Sequence, residues 1–236
     1  MDDAVRDAWI KRVLGMDLRA PRPQPVDLAQ RVQSAARALR VLRDVAAPEF
    51  SDLTNRLVQI RQAAALGPVG ATESLAALER DIARAASAAR AREGGSPKGR
   101  GVAYVQMLLR WRAAQETLNA NLAALGTKLL ARREIQEDPR LDSIKQGVAA
   151  LPQLVPKFGG ELEDALDAGM SATDGAERTR LEAVAIKAID TYREKLVGLS
   201  HLVELEKLAA EDLGAQLPLH GALDAALLEL RQQLAA

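Results

Sequence analysis

Apolar residues recur along most of this chain every third or fourth position, a spacing that predicts one amphipathic helix after another. Val5, Trp9 and Val13 fall at i, i+4 and i+8 with Ile10 and Leu14 beside them, so a first helix is expected from about Asp3 to Leu14, ending at Gly15. Prolines 21, 23 and 25 follow; they forbid helix and favour an extended spacer. Asp27 and Gln30 form a capping-box pattern ahead of the stripe Leu28, Val32, Ala35, Leu39, Leu42 and Ala46, which stops before Pro48. The next stripe is Phe50, Leu53, Leu57, Ile60 and Ala64, with Pro48 in its first turn and Gly67-Pro68 closing it. Thr72 is a candidate cap for a third helix, whose inward positions are Leu75, Leu78, Ile82, Ala85 and Ala89. These three helices of similar length read as an up-down-up set.

Between Glu93 and Gly101 lie four glycines and one proline, the composition of a linker and an expected mobile joint. Beyond it Tyr104, Leu108, Trp111, Leu118, Leu122, Leu125 and Leu129 keep a four-three spacing, interrupted by Gln115, that predicts a coiled-coil-like helix over Val102–Gln136. Further helices are expected after Asp138-Pro139, around Phe158, Leu162 and Leu166 up to Gly169, and after Thr173 or Asp174 with Leu181, Ala185, Ala188, Ile189, Tyr192, Leu196 and Leu199 inward. A short helix from Ser200 to Leu208 and a final one after Pro218, with Leu223, Leu227, Leu230 and Leu234 on one face, complete the reading. Pro152 and Pro156 predict a break before Phe158. The fold class is therefore all-α: a multi-helix bundle with up-down helices and one long coiled-coil-like helix. Its expected organisation is an amino-terminal helix and Pro-rich spacer (1–26), a smaller helical unit ending in the Gly-rich linker (27–101), and a larger bundle (102–236).

Composition narrows the function more by exclusion than by assignment. Of 236 residues, 32 are Lys or Arg and 32 Asp or Glu, so there is no net charge to draw the chain to nucleic acid or anionic lipid. Residues 1–101 hold 17 basic and 12 acidic side chains and residues 102–236 hold 15 and 20, an asymmetry that favours docking of opposite halves or of a partner. The absence of cysteine excludes disulfides, thiolate nucleophiles and cysteine-ligated metal, and fits a cytoplasmic setting. No apolar run approaches the ~20 residues that span a bilayer, and the charged opening residues do not read as a signal peptide.

Candidate chemistry is sparse. His201 and His220 belong to no metal-ligand pair, and no Gly-x-Ser-x-Gly elbow presents a nucleophile to either. Gly94 to Arg100 imitates a phosphate-binding loop but follows a helix and lacks the Lys-Ser/Thr pair. Glu161, Glu163, Asp164 and Asp167 read as a solvated acidic face, and Arg37, Arg40 and Arg43 as a solvated basic stripe without the interleaved aromatics of a nucleic-acid surface. Trp111 reads as core. Trp9, ahead of the proline spacer, must bury its large ring either in the chain's own bundle or in a partner's groove.

The "WIKRVLGMDL" opening, the Leu-rich helices of residues 50–92, the Trp111-Arg-Ala-Ala-Gln helix, the segment from Phe158 through Glu161 to Asp167, and the terminal Leu-spaced helix together resemble helical modules of large multidomain bacterial proteins, among them polymorphic toxins and secretion-associated effectors. That resemblance covers most of the chain and implies a docking or connecting module with no catalytic residues. The expected function is a non-enzymatic protein-interaction module, an adaptor, chaperone or structural part of a toxin or secretion-linked system. Trp9, Val13 and Leu14 are its partner-binding anchors, with no metal, no cofactor and no nucleic acid; the partner is a protein or a second copy. The alternatives are a membrane-acting effector that inserts amphipathic helices, and a helical hydrolase built on Glu134, Glu137 or Asp164 with arginines.

Overall fold

The computed structural model describes residues 28–66, 68–93, 97–131, 160–172, 174–212 and 214–235. Among these residues every regular element is an α-helix, and the fold is all-α. The helices expected near residues 3–14 and 139–151, and the break at Pro152–Phe158, lie outside the described residues.

Helix α1 (Leu28–Asp44) buries Val32, Ala35, Leu39 and Leu42 as its spacing requires. Ala46, expected on that stripe, is exposed instead, because the helix closes before it. Ala46 takes a left-handed φ of 49°, its N–H donates to Arg43 O at 2.9 Å, and Ala47 N–H donates to Leu42 O at 3.0 Å. This is the Schellman closure, made here without the usual glycine. A Cβ in that region costs about 1 kcal/mol, so Ala46→Gly should raise the unfolding free energy by roughly 0.5–1 kcal/mol despite the larger backbone entropy of glycine. Chemical denaturation of the two proteins side by side measures this.

Helix α2 (Phe50–Leu66) buries Leu53, Leu57 and Ile60. Helix α3 (Pro68–Glu93) starts four residues ahead of Thr72, which is therefore interior rather than a cap. Proline fits the start because its missing N–H would have no helical partner there. All five expected inward positions of α3, from Leu75 to Ala89, are buried, and α1, α2 and α3 pack on one another.

Helix α4 (Pro97–Leu130) takes Pro97 to Gly101 of the glycine-rich stretch into its own first turns. It has two characters. From Gly101 to Trp111 nearly every position is buried, including Val102, Tyr104, Val105, Met107, Leu108, Leu109 and Trp111, far wider than a two-stranded coiled-coil seam. Only beyond it does the narrow stripe of Leu118, Leu122, Leu125 and Leu129 appear.

Helix α5 (Gly160–Ser171) packs on α1 and continues past Gly169, where the sequence suggested an end. Gly169 serves packing instead: the Tyr104 ring lies where a Cβ would be. Helix α6 (Gly175–Val197) is capped by Asp174, whose Oδ1 accepts from Ala176 N–H at 3.1 Å. Helices α7 (Ser200–Asp212) and α8 (His220–Ala235) complete the chain.

By internal contacts the described helices fall into two units. The first holds α1, α2, α3, α4 through Arg112, α5, α6 through Ile189, and α8 from Leu230. The second holds α4 from Ala113, α6 from Asp190, α7, and α8 up to Glu229. Both flanks of the glycine-rich stretch thus belong to the first unit, whereas composition drew its line at residue 101. In the second unit Glu206 on α7 accepts from the backbone N–H groups of Leu219 and Gly221, supplying the start of α8 with an acceptor its own sequence lacks. Arg193 donates to Asp224 at 2.7 Å, and Asn121 to Pro218 O at 2.9 Å.

Candidate functional site

Among the described residues a buried group of charged side chains lies inside the first unit, where α1, α3, α4 and α5 each contribute one residue. Glu79 on α3, Arg112 on α4 and Glu163 on α5 are 5%, 6% and 8% exposed. Each sits at the apolar phase of its helix: Glu79 is four residues after Leu75, Arg112 four after Leu108, and Glu163 three before Leu166 and seven before Met170. A charge so placed is carried into the core with its stripe. Its desolvation is offset only by an opposite charge from another helix.

Arg112 supplies that charge twice. Its Nη1 donates to Glu79 Oε1 at 2.9 Å and its Nε to Glu163 Oε2 at 3.1 Å. Arg31 on α1 completes the set from the other side of Glu79, donating through Nη2 to Oε2 and through Nε to Oε1 at 3.4 Å. Two arginines and two glutamates make a neutral group that ties four helices together.

A second set of ties holds α5 against α1. Asp167 accepts from Ser34 Oγ at 3.0 Å and from Arg37 Nη2, and Asp164 accepts from Gln30 Nε2 at 3.3 Å. The acidic segment is thus not a solvated face throughout. Glu161 and Asp164 are exposed, but Glu163 is buried and Asp167 is half-buried, because the helix turns them toward the arginines of α1 and α4. The basic stripe divides likewise: Arg37 is tied to Asp167, while Arg40 and Arg43 remain exposed.

Burial pushes the Glu163 carboxyl above the usual glutamate range, against the opposing pull of Arg112 and, more weakly, Arg31, with Glu79 adding to the rise. Tyr104 is also raised, first by burial and then by its hydrogen bond to Glu182 Oε1 at 3.0 Å. Asp81 moves down, chiefly through its hydrogen bond from Arg56 at 2.5 Å, which joins α2 to α3.

The expected anchors Trp9, Val13 and Leu14 lie outside the described residues, as do Glu134 and Glu137. His220 opens α8 and is half-buried, and His201 stands near the start of α7. Among the described residues no three His, Cys, Asp or Glu side chains come together as a metal site would require, and no helix is long and apolar enough to cross a membrane. Arg31, Glu79 and Arg112 were not singled out by spacing or motif. The signal that reveals them is a charge at an apolar phase, repeated with opposite signs on separate helices. Neither a family model, nor a curated protein, nor a solved structure matches the chain.

Proposed function

We propose that this chain is a non-enzymatic helical module that binds a protein partner or a second copy of itself through its amino-terminal segment, with Trp9, Val13 and Leu14 as anchors. The helical body acts as the scaffold of an adaptor, chaperone or structural part in a bacterial toxin or secretion-linked system. One observation carries the reading: the buried Glu79, Arg112 and Glu163 and the part-buried Arg31 bond to one another across four helices, so these charges serve as helix-to-helix ties. Asp164, the one carboxylate of the hydrolase alternative among the described residues, is exposed and accepts from Gln30. An amphipathic segment with a tryptophan, set ahead of three prolines that limit the entropy lost on binding, is the feature suited to recognition.

A buried tryptophan anchor contributes ~2 kcal/mol or more to an interface. Trp9→Ala should therefore weaken self-association, or capture of a partner from the native host, by about tenfold or more and leave thermal unfolding nearly unchanged. Sedimentation equilibrium, quantitative affinity capture and a thermal melt of both proteins decide it. A sharply lower melting temperature with binding intact would make Trp9 a core residue and end this reading.

A further inference from the structure

We draw no further inference here: the strongest candidate, the exposed face of α4 beyond Arg112 made by Ala113, Thr117, Ala120, Ala124 and Thr127, is a stripe of small residues, and nothing in the structure shows what covers it.

Discussion

Arg112→Met is expected to destabilise the protein by about 3–5 kcal/mol, the range seen when one partner of a buried ion pair is removed. The size follows from what is left behind rather than from the bonds lost. Arg112 serves two carboxylates, and without it Glu79 keeps only Arg31 while Glu163 keeps no hydrogen-bond donor among the described residues. Both glutamates stay in the interior, at 5% and 8% exposed. An exposed pair such as Arg43 and Asp44, at 3.4 Å, contributes little by comparison because water screens it. Lysine is a poor substitute for Arg112, since its single ammonium cannot present two N–H groups in the fixed fork that reaches Glu79 and Glu163 together. Equilibrium unfolding in urea measures the loss.

Gly169→Ala is expected to destabilise by about 1–3 kcal/mol, the cost of forcing a methyl into a packed site. In an isolated helix the same change stabilises by about 1 kcal/mol, so the sign itself is diagnostic. Three atoms of the Tyr104 ring, Cε1, Cδ1 and Cζ, lie closer to the position of the new Cβ than any packed methyl tolerates. The ring has little room to retreat, because Tyr104 is 3% exposed and its hydroxyl donates to Glu182. Tyr104→Leu in the Gly169→Ala background should recover part of the loss, a coupling that a double-mutant cycle isolates. Additive losses would place the strain elsewhere.

These two residues also show where the sequence is legible and where it is not. Helical periodicity marked the core well: Leu75, Leu78, Ile82, Leu162, Leu223 and Leu227 are all buried, because a stripe at helical spacing has no other stable placement. Helix ends were read less well, since the same residue types serve several purposes. Gly169 looks like a terminator and is a packing gap, Thr72 looks like a cap and is interior, and Ala46 carries a left-handed turn that sequence assigns to glycine. The four-three spacing of Tyr104 to Leu129 suggested one seam, but a helix surrounded by others buries the positions between the stripe residues too, and only contacts from other helices reveal that. For the charge cluster the positions were visible and the pairing was not. Glu163 could be seen among acids, yet its burial depends on Arg112, 51 residues earlier, meeting it across the core.

Replacing the members of the cluster together tests most directly whether it is a structural tie. If Arg31, Glu79, Arg112 and Glu163 only hold four helices together, exchanging all four for Met or Leu of similar volume removes the desolvation penalty along with the attraction. The measurement is the unfolding free energy of this fourfold variant beside that of Arg112→Met. Recovery to within about 1–2 kcal/mol of wild type, or above it, is the predicted result. A fourfold variant as unstable as Arg112→Met would contradict the account, showing that the charges supply something apolar packing cannot.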